Sequence, residues 1–180
     1  MICIDVEPDG FFIDRDKRLP WRGFEEGYEF FKAFRPRAVA RTGSPARFTW
    51  FLRMDPQIGE TYGSPEWPTR QYAHHLSCLI EQGDELGLHV HPYRWDRDHK
   101  RWIADNGNQE WINYCVHSSF ETFRDTLKKD CYSYRHGDHW MNNETFTLLE
   151  RLGVRFDLTL EPGHQEMPSA HREEHSTGML

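Results

Sequence analysis

Apolar positions along the chain follow two spacings, one of two residues and one of three to four, and the spacings alternate. Ile2 to Val6 is an apolar run that predicts a buried strand, broken by Pro8-Asp9-Gly10. Phe24, Tyr28, Phe31 and Phe34 fall at helical spacing, which predicts an amphipathic helix from Phe24 to about Phe34, ended by Arg35-Pro36. Arg47 to Met54 is rich in β-formers and predicts a second strand, followed by a loop from Asp55 to Glu66. Trp67 to Gln82 predicts a second helix with Tyr72, Leu76, Leu79 and Ile80 inward, and Gly83 stops it. In Gly87-Leu88-His89-Val90-His91-Pro92-Tyr93 apolar residues alternate with histidines, the pattern of a third strand. A charged, loop-like insertion from Arg94 to Gly107 comes next, then a long helix from Gln109 to about Lys129. Cys131 to Arg135 predicts a fourth strand, Asn143 caps a helix reaching about Leu152, and Val154 to Leu160 predicts a fifth strand.

Strands alternating with helices of this length predict parallel β/α units and an α/β fold. In such folds functional side chains collect where strands end. Asp5 and Glu7 close the first strand, His89 and His91 the third, and Arg135 the fourth, so all five are expected on one rim. From Glu161 the composition turns polar, with Pro162, Gly163 and Pro168 and almost nothing to bury. Residues 1–161 are therefore expected to form the domain and 162–180 a polar loop or tail.

Composition narrows the classes. A length of 180 residues suits one domain with a real core, and 28% charged residues with a formal charge of −7 suit a soluble protein. That acidity disfavours nucleic acid or an anionic membrane as a partner. No apolar run approaches membrane-spanning length, and the first strand starts too early to leave room for a signal peptide. Cys3, Cys78, Cys115 and Cys131 are widely spaced and fall mostly in predicted elements, so they are expected to be reduced, which suits the cytoplasm. The seven tryptophans are more than a core this size needs. Trp21, Trp67, Trp95, Trp102 and Trp140 lie in expected loops or at their edges, where they either pack onto the core or stack against sugar faces.

The chemistry lies at the rim. Side chains two apart on a strand share a face, so His89 and His91 point the same way, as do Asp5 and Glu7. A solvated histidine face is the plain alternative for one such pair; two strands that both end in matched polar pairs weigh against it. One carboxylate and two imidazoles suit a divalent transition metal such as Zn²⁺, which activates water, and a second carboxylate beside them suits a general base.

This arrangement resembles the NodB-homology polysaccharide deacetylases, carbohydrate esterase family four in the broad sense, from Ile2 to about Glu161. The first family motif resembles Cys3-Ile4-Asp5-Val6-Glu7, the second Gly83-Asp84-Glu85-Leu86-Gly87-Leu88-His89, and the third Tyr134-Arg135-His136-Gly137. The resemblance implies a distorted, incomplete (β/α) barrel. It also implies Asp5 as the catalytic base, Arg135 as the group that orients it, and Glu7, His89 and His91 as metal ligands. Its second metal histidine falls four residues after the first, where this chain has Tyr93, and His91 is the substitute. Asp9 with Gly10 is an alternative acidic end of the first motif, which would make Glu7 the base and Asp9 the ligand. The late histidine that serves the family as general acid has no positioned counterpart; His136, His139, His164, His171 and His175 are the candidates, unless the chain is a fragment of a longer enzyme.

Three functions follow as expectations. The first is metal-dependent removal of an N- or O-linked acetyl group from a sugar or glycan precursor, in the cytoplasm and in surface-polysaccharide biosynthesis as the resemblance implies. The second is carbohydrate binding without turnover, and the third another barrel metallohydrolase.

Overall fold

The computed structural model of the protein describes residues 2–10, 15 and 17–160. Its elements in chain order are β1 (Cys3–Val6), α1 (Arg22–Thr42), β2 (Thr49–Arg53), α2 (Pro56–Tyr62), α3 (Trp67–Gln71), α4 (Ala73–Glu81) and β3 (Glu85–Val90). There follow β4 (Tyr93–Asp96), β5 (Arg101–Ala104), α5 (Gln109–Leu127), β6 (Ser133–His136), a 3-10 turn (Gly137–His139), α6 (Asn143–Arg151) and β7 (Phe156–Asp157). The expected tail from residue 162 lies outside the described residues, as do His164, His171 and His175.

The main sheet has the order β1-β2-β3-β6-β7, and every pair in it is parallel. Each strand is added beside the last one in the sheet, so the sheet grows in one direction, as right-handed β/α crossovers require. The fold is α/β. Period-two alternation divides its two faces. Val6, Trp50, Leu52, Leu88, Val90 and Tyr134 belong to one apolar cluster, which takes in Phe24 of α1, Leu76 of α4, Ile112 of α5 and Leu149 of α6. The helices therefore cover a single face. The other set of strand residues, Asp5, Phe51, Arg53, His89 and Arg135, is left for the inner face. Gly87 lies there in register with Phe51, and it has to be glycine: a Cβ would come within 2.6 Å of the Ser133 carbonyl and 2.9 Å of the Phe51 ring.

The sheet is strongly curled. Arg135 of β6 reaches Asp5 of β1, 3.5 Å between Nη1 and Oδ2, across the two intervening strands β2 and β3. In a flat sheet those strands would stand about 14 Å apart. The arc is that of an incomplete barrel with its polar side chains on the concave side.

Several elements depart from the pattern-based reading. Helix α1 continues through Pro36 to Thr42, ending at Gly43 in a left-handed cap (φ 72°). Proline costs an internal helix one hydrogen bond and a steric clash, but Arg35 beside it is tied to the Ala46 carbonyl and to the buried carboxylate of Asp84, which fixes the helix at that point. The Asp55–Glu66 loop contains α2, because the Asp55 side chain accepts the N–H groups of Gln57 and Ile58 and caps a helix with proline in its first turn. The Trp67–Gln82 helix is broken at Tyr72 (φ −111°, ψ 25°), whose ring packs in the aromatic cluster of Trp21, Phe24 and Trp67 while its hydroxyl donates to Glu25. The charged insertion folds as the antiparallel pair β4-β5, with Trp95 opposite Trp102. Asn142, one residue before the expected cap, accepts from Thr145 N to start α6, and β7 is only two residues long. Trp21 and Trp140 pack into the core from outside the regular elements, whereas Trp102 is buried within β5.

Candidate metal centre

The site is one row across the sheet, read at the carboxyl ends of the strands. Arg53 pairs with His89, and His89 with Arg135. Glu7 stands one residue past β1, and its Oε2 lies 3.6 Å from Arg53 Nη1. His91 stands one residue past β3 and shares the face of His89.

Glu7, His89 and His91 converge, with one ligand atom of each inside a common cluster. His89 Nε2 and His91 Nε2 are 2.9 Å apart, and Glu7 Oε2 lies 3.7 Å from the first and 3.8 Å from the second. The centre of that triangle is about 2.0 Å from all three atoms, the length of a Zn–N or Zn–O bond. The donors also fit a divalent cation chemically. His89 Nδ1–H donates to the Arg135 carbonyl at 3.1 Å, which leaves the Nε2 lone pair facing the triangle. Burial, then the neighbouring His91 and Arg53, push His89 well below its ordinary range, so it is a neutral imidazole, the form that binds metal. A carboxylate with two imidazoles leaves room in a tetrahedral shell for water or substrate.

Arg53 and Asp55 underlie the cluster, and sequence reasoning passed over both. Arg53 is fully buried, and its guanidinium donates to Asp55 at 2.7 and 3.0 Å and to Gln57 Oε1 at 2.6 Å. Burial alone would lower Arg53, but Asp55 and Glu7 outweigh it and raise it, so it stays cationic beside Glu7. Asp55 Oδ2 also accepts the backbone N–H of His91 at 3.3 Å. One buried ion pair therefore touches Glu7, one residue past β1, and the backbone of His91, one residue past β3. The signal was present: Arg53-Met54-Asp55 is a third strand end with polar residues two apart.

Asp5 lies on the same concave face, half-buried, with the Arg135 guanidinium 3.5 Å from its carboxylate. Asp9, the alternative ligand, is drawn elsewhere: its carboxylate pairs with Arg22 at 2.7 Å and accepts Gly23 N at 3.1 Å. Tyr93, at the position of the resembled family's second histidine, stacks on the His91 ring instead (centroids 4.8 Å, planes 11° apart). His136 shares the helix-covered face with Tyr134 and packs against Trp140. Burial pushes it down to about 4, so it is a neutral imidazole. His139 Nδ1–H donates to the Thr159 carbonyl at 3.0 Å. Asp138 was not anticipated: its Oδ2 is 3.6 Å from His91 Nδ1. Burial would raise Asp138, but His91, His136 and Arg53 outweigh that and lower it, so it is a carboxylate.

No family model and no curated protein matches the chain. Among solved structures the chain is similar to BA3943, a CE4-family pseudoenzyme from Bacillus anthracis (8% identity, TM-score 0.48, 87% of this chain and 41% of that one). It is also similar to the peptidoglycan deacetylase PdaC from Bacillus subtilis (9% identity, TM-score 0.45, 86% and 55%). A third is a family 4 carbohydrate esterase from Streptomyces lividans in complex with acetate (11% identity, TM-score 0.44, 86% and 59%). The chain thus spans 41% to 59% of the length of these three solved chains. Among the described residues no helix is long and apolar enough to cross a membrane.

Proposed function

We propose that the chain holds a divalent metal, zinc in the first instance, through Glu7, His89 and His91, and removes acetyl groups from an N- or O-acetylated sugar or glycan precursor. The observation that carries this reading is the triangle of 2.9, 3.7 and 3.8 Å among one carboxylate oxygen and two imidazole nitrogens at the carboxyl ends of parallel strands. The sequence motifs, in the order of the NodB-homology deacetylases, direct it to acetyl groups rather than to other acyl or phosphoryl groups.

A bound metal supplies a Lewis acid that polarises the acetyl carbonyl and acidifies water beside it. Asp5 takes the proton of the attacking water and passes it to the leaving nitrogen or oxygen, so that the acyl C–N or C–O bond breaks to give acetate and a free sugar amine or hydroxyl. Arg135 holds the Asp5 carboxylate turned toward the substrate. Arg53 holds Glu7 in its ligating orientation while neutralising part of its charge. Residues 1–161 act as the catalytic domain, and residues 162–180 as a polar extension. A cytoplasmic setting is supported by the reduced thiols of Cys78, Cys115 and Cys131, and a place in surface-polysaccharide assembly by the resemblance of the motifs to the deacetylases.

The test is acetate release from N-acetylated and O-acetylated oligosaccharides by zinc-loaded protein, wild type and Asp5→Asn. Release by the wild type and loss in the variant support the reading. Full activity in Asp5→Asn with metal bound refutes the base. Sugar binding with neither metal nor acetate favours a binding module instead.

A further inference from the structure

We propose that Asp138 is the positioning residue of His91, its carboxylate engaging the Nδ1 edge of the ring so that Nε2 faces the ligand triangle. The inference rests on His91 being a metal ligand, as proposed above.

His91 lies one residue beyond β3, so strand pairing does not orient it. Its backbone N–H is taken by Asp55. The ring itself is held on three sides. Tyr93 stacks along it at 4.8 Å. Gly137 lies so close that a Cβ there would come within 2.1 Å of Nδ1, so this approach requires glycine. Asp138 supplies the third contact: its Oδ2 is 3.6 Å from His91 Nδ1, and the Tyr93 hydroxyl donates to that same oxygen at 3.5 Å. Tyr93 and Asp138 thus brace each other as well as the ring between them.

The turn is shaped to deliver this carboxylate. After β6 the backbone passes through two successive left-handed residues, Asp138 (φ 55°) and His139 (φ 53°). Such a conformation costs a residue with a Cβ about 1–2 kcal/mol, less for aspartate and asparagine. Asp138 faces Nδ1, whereas Glu7 and His89 face Nε2 at the other edge of the ring, so it does not compete as a ligand. A carboxylate on Nδ1–H selects the tautomer with its lone pair on Nε2 and makes that nitrogen more basic. The Arg135 carbonyl does the same for His89. Each imidazole then has its own anchor, and both anchors come from β6 and the turn after it.

The test is titration of metal-free protein with Co²⁺, read by its visible ligand-field spectrum, together with the melting temperature of the metal-free form. Wild type is expected to take up one equivalent with a tetrahedral-type spectrum, and His91→Ala to lose it. Asp138→Ala should bind Co²⁺ about 10- to 100-fold more weakly, with a metal-free melting temperature within about 2 °C of wild type. Asp138→Asn, which suits the left-handed backbone and keeps an acceptor oxygen, should fall between the two and serves alone if the alanine variant does not fold. Binding within about twofold of wild type in either variant overturns the role of Asp138 while leaving the ligand set intact. Absence of a Co²⁺ spectrum in the wild type, or its persistence in His91→Ala, overturns the ligand assignment and this inference with it.

Discussion

Arg135 and Asp5 meet at 3.5 Å although β2 and β3 separate their strands, so the curl of the sheet is what assembles the proposed catalytic pair. Arg135→Met keeps the bulk of the stem and removes the charge that orients Asp5. Acetate release is expected to fall about 10²-fold in Arg135→Met and between about 10² and 10⁴-fold in Asp5→Asn. The double variant should be little worse than Asp5→Asn, since the arginine acts through the aspartate. Unchanged kcat in Arg135→Met would dismiss its role.

Arg53 is the residue on which the inner face depends for stability. Removing it strands the buried Asp55 carboxylate, which has Arg53 and Gln57 N among its partners and no access to solvent. Breaking a buried ion pair from one side costs about 3–5 kcal/mol, and Arg53→Met is expected in that range by urea unfolding. Arg53→Met with Asp55→Asn should be less destabilised than the sum of the two single changes. Strict additivity would mean the pair contributes nothing as a pair.

Acid should loosen the metal-free protein through its buried histidines. An unfolded His136 takes a proton below its ordinary value of 6.5, whereas the folded one, buried beside Tyr134 and Trp140, resists until about 4. The unfolded state therefore binds more protons between those values, and stability is full above the upper one and lost as pH falls toward the lower. The loss from this residue is on the order of 3 kcal/mol. His89, lowered for the same first reason, acts in the same direction. His136→Gln keeps a hydrogen-bond donor and cannot titrate, so its melting temperature should decline less than that of wild type between pH 6.5 and pH 4. Parallel declines would contradict the burial of a neutral imidazole.

Much of this was legible in the chain because the informative residues sit in regular patterns. Strands β1 and β3 and helix α5 follow from unbroken apolar spacing, and Asp5, Glu7, His89 and His91 follow from polar residues two apart at strand ends. Where tertiary contacts outrank local preference the pattern misleads. Pro36 argues for a helix end, yet Arg35 anchors the helix there to Asp84 and Ala46. Tyr72 fits a helical stripe, yet its ring is drawn into the cluster with Trp21 and Phe24 and the helix breaks at it. The β4-β5 hairpin was hidden by its charges, although Trp95 and Trp102 pair across it. Asp138 carried no periodic signal at all. Its importance comes from a turn that brings it beside a ring 47 residues earlier in the chain.

Anomalous diffraction at the zinc edge, from crystals grown with saturating Zn²⁺, tests the centre most directly. Expected is one peak about 2.0–2.2 Å from Glu7 Oε2, His89 Nε2 and His91 Nε2 together. Zinc held elsewhere, or none at these three atoms, would contradict the metal site and the hydrolysis built on it.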